Sequence, residues 1–157
     1  MAAFDAKAHL RKATETGAKY IANNINAIAE DKRNEVPAGN ARSPLYIVAE
    51  AASVNGMVAK MLTGETMERP SSEQTEAYLK TFDTAEKALA FLTKETDSLL
   101  AAIDALDEST LGDIIQTPIG ERTRFGLAEI PMWHMSYHDG QLNYIQTMLG
   151  DKEMHWN

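Results

Sequence analysis

Apolar residues recur at helical spacing along most of this chain, in four stretches separated by turn-forming clusters. The first runs from about Asp5 to Glu30 and carries Leu10, Ala13, Gly17, Ile21, Ile25 and Ile28 on one side. The segment from Asp31 to Asn40 ends it with charge, Pro37 and Gly39. Ser43-Pro44 then supplies an N-cap and a first-turn proline for a second helix, which should reach about Leu62 and stop at Thr63-Gly64. Ile47, Val54, Met57, Val58 and Met61 form its apolar side. Ser71 and Gln74 fit a capping box opening a third, long helix. There Tyr78, Ala85, Leu92, Leu99 and Leu106 repeat every seven residues, with Phe82, Leu89, Thr96 and Ile103 as companion row. Two rows at that spacing are the core seam of a bundle helix.

Residues 107–123 are rich in turn formers, and Thr117-Pro118-Ile119-Gly120 suits a small hairpin. A fourth helix is expected from about Arg124 to Leu149, ending at Gly150, with Pro131 either kinking it or marking its true start. No internal repeat or compositional boundary divides the chain. Residues 1–157 therefore predict one all-α domain, a four-helix bundle.

Composition narrows the setting. With 23 acidic and 15 basic residues the formal charge is −8, and no basic stripe with interleaved aromatics offers a phosphate-binding face, so nucleic-acid binding is disfavoured. Cysteine is absent, which removes disulfides, thiolate nucleophiles and zinc-thiolate clusters and leaves nitrogen and oxygen as metal donors. No signal peptide is evident and no apolar run approaches membrane-spanning length, so a soluble, cytoplasmic protein without membrane contact is expected.

The candidate chemistry lies on the second and fourth helices. At about 100° per residue, Leu127, His134, His138, Gln141, Ile145 and Leu149 fall in one sector of the fourth. Glu50 falls in the middle of the apolar side of the second. A carboxylate buried alone costs several kcal/mol or becomes neutral. Set side by side, the two helices let Glu50, His134 and His138 converge as two imidazoles and one carboxylate, a three-ligand set with room for water or substrate. The competing reading is an internal salt bridge between Glu50 and a protonated histidine, with no metal. Gln141 fits a backbone anchor or a partner orienting a ligand histidine better than a ligand. His9 and His155 lie near the termini and are expected to be solvated, although the tail Met154-His155-Trp156-Asn157 could fold over a pocket. Trp133 and Tyr137 read as packing residues or pocket walls. Met57, Met61 and Met67 read as core, with a pocket or interface as the alternative.

The run His134-Met135-Ser136-Tyr137-His138-Asp139-Gly140-Gln141-Leu142, continuing to Leu149-Gly150, resembles the C-terminal motif of the DinB-like superfamily. That motif is fairly specific; the rest of the match is hydrophobic pattern and the order of elements. The resemblance implies an up-down-down-up bundle with a long connection after the second helix, frequent homodimerisation, and a divalent metal, commonly nickel or zinc, held by three histidines. Two of these fall on His134 and His138. The third falls on Glu50, a departure that would harden the site toward manganese, iron or zinc, or mark a member without metal. Relatives include transferases and isomerases that use low-molecular-weight thiols. The resemblance thus implies a metal-dependent thiol S-transferase, or a related hydrolase, acting on a small molecule. The alternative is a non-catalytic stress-response or ligand-binding bundle whose metal is structural or absent.

Overall fold

The computed structural model describes residues 4–66 and 70–157. Each main helix starts where a short polar side chain can satisfy an unpaired backbone N–H. Asp5 accepts from Ala8 N at the head of α1 (Ala6–Ala27). Ser43 does so for α2 (Pro44–Thr63), whose Pro44 occupies the first turn. Ser71 and Gln74 complete both halves of the expected capping box on α3 (Ser72–Leu79). Thr84 opens α4 (Ala85–Asp104), and Thr123 opens α5 (Arg124–Met148). Gly64 closes α2 at φ 76°, a conformation that suits glycine because it has no Cβ. The expected hairpin is present: β1 (Ile114–Thr117) pairs antiparallel with β2 (Gly120–Thr123).

The four long helices form the all-α bundle, and the core fixes their directions. One cluster joins Ile21 and Ile25 of α1, and Ile28 just past its end, to Leu45 and Val48 of α2, Ala88 and Leu92 of α4, and Met135 and Leu142 of α5. The other joins Leu10 of α1 to Val58 and Leu62 of α2, Leu99 and Ile103 of α4, and Leu127 of α5. The early part of α2 thus lies with the early part of α4 and the late part of α1. The order is up-down-down-up, with α2 parallel to α4 and α1 parallel to α5. Lys7 Nζ donates to the carbonyls of Asp104 and Leu106, and Arg11 pairs with Asp104, tying the start of α1 to the end of α4. Between the clusters Asn55 is buried and donates to Thr96 Oγ1 at 3.1 Å.

Several expectations need correction. The third helix is broken: α3 ends at Leu79, and Thr84 caps a separate α4. Phe82 in the break stacks on Phe91 at 4.2 Å, and Tyr78, placed in the core row, is exposed. Residues 64–84 are consequently the long return connection that two parallel helices require. The first helix stops at Ala27 rather than Glu30, and Arg33 donates to the carbonyls of Ile28 and Asn26 there. In α5 the helix runs through Pro131, which marks no start. Its buried ridge is Leu127, Met135, His138, Leu142 and Ile145, so Leu149 is exposed and His134 and Gln141 are half-buried. In α2 the buried set is wider than one stripe, whereas Val54, Met57 and Met61 are half-buried; Met67 lies outside the described residues. Pro44–Thr63 is also long and apolar enough to cross a membrane, contrary to the expectation that no run approached that length. Most of it is buried in the bundle, so its apolarity is that of a central core helix.

Candidate metal centre

Glu50 lies in the first half of α2, and α5 carries His134 and His138 one turn apart. The antiparallel approach of α2 and α5 brings all three together. One potential ligand atom of each lies within 4.8 Å of the other two. His138 Nε2 is 3.2 Å from His134 Nε2 and 3.6 Å from Glu50 Oε2. The rings stand nearly perpendicular, at 86° with centroids 4.4 Å apart, so their ring nitrogens face one another.

A hydrogen-bond chain sets the orientation of His138. Its Nδ1 is 2.7 Å from Gln141 Oε1, an acceptor, so Nδ1 carries the proton and Nε2 presents a lone pair to the cluster. Gln141 is itself held, donating from Nε2 to the Tyr137 hydroxyl at 2.9 Å. Gln141 thus bridges His138 and Tyr137. Tyr137, read as a packing residue or pocket wall, is exposed and its hydroxyl accepts from Gln141 at the outer end of the chain.

Burial governs the protonation states. His138 is fully buried, and desolvation, with the nearby His134 adding to it, lowers its pKa to about 4. Burial also lowers His134, with Arg42 adding a smaller push. Both imidazoles are neutral at pH 7, the form that ligates. Glu50 is shifted upward by burial, opposed by Arg42. Its side chain retains 22% exposure, placing it at the rim of the helix interface and not at its centre.

The cation beside Glu50 is Arg42, with Nη1 3.0 Å from Oε2, and not a protonated histidine. The approach is close but poorly directed, and Oε2 has no hydrogen-bond partner. His134 Nδ1 is likewise buried without one. An under-satisfied carboxylate oxygen 3.6 Å from His138 Nε2, with His134 in the same cluster, fits a divalent cation by donor type, since nitrogen and oxygen donors of this mix suit zinc, manganese, iron and nickel.

Arg42 escaped sequence reasoning because it lies outside the helix, one residue before the Ser43 cap, where no periodicity bears on it. A buried polar group was also missed. Asp139 is buried, accepts from Asn24 Nδ2, and accepts from Trp156 Nε1 at 3.1 Å. Trp156 stacks on Tyr20 at 5.5 Å, so the tail folds against α1 rather than over Glu50 and the histidines. His155 is half-buried there, 2.8 Å from Asp151, whereas His9 is exposed as expected.

The sequence matches the DinB superfamily over residues 13–142. The chain belongs to the DinB superfamily. The fold is also similar to a crystal structure of a conserved protein from Enterococcus faecalis, with a TM-score of 0.70 at 14% identity, over 95% of this chain and 100% of that one. At that identity the likeness concerns the fold alone. No curated protein matches the chain.

Proposed function

We propose that this DinB protein binds one divalent metal through Glu50, His134 and His138 and uses it in a small-molecule reaction, thiol S-transfer or hydrolysis. The observation that carries the reading is the convergence of two imidazoles and a carboxylate whose Oε2 has no hydrogen-bond partner. Three protein ligands leave a coordination position open, the mark of a catalytic rather than a structural metal. When bound, the metal supplies Lewis acidity that lowers the pKa of a thiol or water.

The chain's own residues do the rest. Gln141 holds the His138 Nδ1 proton and aims Nε2 inward, and Tyr137 fixes Gln141. Arg42 balances the Glu50 charge until that carboxylate is committed elsewhere. We place the protein in the cytoplasm, acting as a monomer or homodimer on a low-molecular-weight substrate.

One observation favours a second reading. Arg42, 3.0 Å from Glu50, offsets part of the acid's charge, so the cluster can persist without metal as part of a non-catalytic ligand-binding bundle. Chelation separates the two. If the metal is catalytic, chelator treatment abolishes turnover of a thiol or ester substrate while leaving most of the thermal stability. Turnover that survives complete metal removal would overturn the enzymatic reading.

A further inference from the structure

Arg42 stands between two surface cavities. The larger, about 530 Å³, mixes polar and apolar walls and carries the Glu76–Lys80 pair at 2.6 Å as well as Arg42. The smaller, about 390 Å³, is different in kind. Its walls include Pro37, Ile47, Tyr144, Ile145 and Met148, and Arg42 is the one charged residue among those lining it. Gln141, which orients His138, also borders it. The volume lies within the usual range of small-molecule sites, about 300–1,000 Å³.

Two features point to a ligand with a charged head and an apolar body. Tyr144 and Met148 are 68% and 47% exposed, so this wall presents apolar surface to solvent. Arg42 contacts Glu50 through Nη1 and lies over the Tyr46 ring with Cζ 5.7 Å from its centroid, yet its side chain remains 45% exposed where it borders the groove, so donors of its planar fork stay available to a ligand. A carboxylate matches that fork in charge and geometry. We propose that this groove binds an amphipathic monocarboxylate, its carboxylate on Arg42 and its hydrocarbon body along Ile47, Tyr144 and Met148. For the reaction this deepens the function proposed above and rests on it, because the groove adjoins the cluster through Arg42, which contacts Glu50, and Gln141, which contacts His138. Binding itself requires only the apoprotein.

Octanoate and octanol share an apolar body and differ in the carboxylate, which makes them suitable probes. Each is titrated into chelator-treated protein and followed by calorimetry and NMR, with metal affinity measured separately on the same preparation. Octanoate is expected to bind saturably, to shift resonances of Ile47, Tyr144 and Met148, and to bind more tightly than octanol. Arg42→Gln should weaken octanoate about tenfold or more and leave octanol unchanged, and Arg42→Lys should keep part of the affinity. Equal binding of the two probes, an unchanged Arg42→Gln variant, or shifts mapping away from the groove would overturn the proposal. A preparation that binds octanoate but no metal would refute the metal centre alone, and the reverse result would refute this groove alone.

Discussion

Acid should destabilise the metal-free protein through His138. In the folded chain burial lowers this imidazole to about 4 from an ordinary value of 6.5, so the folded state stays unprotonated where the unfolded state takes up a proton. Stability rises with pH wherever the unfolded state binds more protons. The contribution of His138 is therefore complete above about 6.5 and is lost as pH falls toward 4. Between pH 7.5 and pH 5 these two values correspond to a loss of about 2 kcal/mol, an order-of-magnitude figure. Glu50 acts in the opposite sense, since its raised pKa lets the folded state accept a proton more readily as pH falls, which offsets part of the loss. The assay is urea denaturation of chelator-treated protein at both pH values, for the parent and for His138→Gln. The parent should lose more stability than the variant on acidification, by about 1–2 kcal/mol. Equal losses in the two proteins would refute the claim that His138 is held neutral by burial.

Other consequences follow from single contacts. Gln141→Leu removes the acceptor on His138 Nδ1 and should weaken metal binding roughly 10- to 100-fold with little change in fold, as read by competition with a chromophoric chelator. Trp156→Ala removes the stack on Tyr20 and one donor to buried Asp139, and should lower stability by about 2 kcal/mol in denaturant titration. Gly64→Ala places a Cβ at φ 76° and should cost about 1 kcal/mol, whereas a neutral result would contradict the left-handed cap. Leu99→Ala opens a cavity in the core cluster that also holds Leu10, Val58 and Leu127, at a fully buried position, and should cost about 2–5 kcal/mol, read as a lowered melting temperature.

Local chemistry made much of this molecule readable in advance. Ser43-Pro44, Ser71 with Gln74, and Gly64 each act through groups within a turn of themselves, and each stands where its residue type predicts. The Glu50, His134 and His138 cluster was legible because helical spacing put polar groups on faces that otherwise carry apolar ones. Tertiary geometry was harder to see. The heptad rows continue unbroken through residues 80–84, because Phe82 and Ala85 are apolar whether or not a helix joins them. The N-cap signal at Thr84 was the available sign of a break. The true buried ridge of α5 is turned relative to the simple stripe, because its neighbours α1 and α2 flank it on two sides and bury Met135 and Leu142. Arg42 and Trp156 reach their partners Glu50 and Asp139 from irregular segments, and no periodic pattern governs such residues.

The most direct measurement is metal content, by mass spectrometry, of tag-free protein beside its Glu50→Ala and His134→Ala variants, each checked for folding by circular dichroism. A three-ligand centre predicts near-stoichiometric divalent metal in the parent and its loss from both folded variants. A parent that takes up no metal even after reconstitution, or variants that keep it, would contradict the centre.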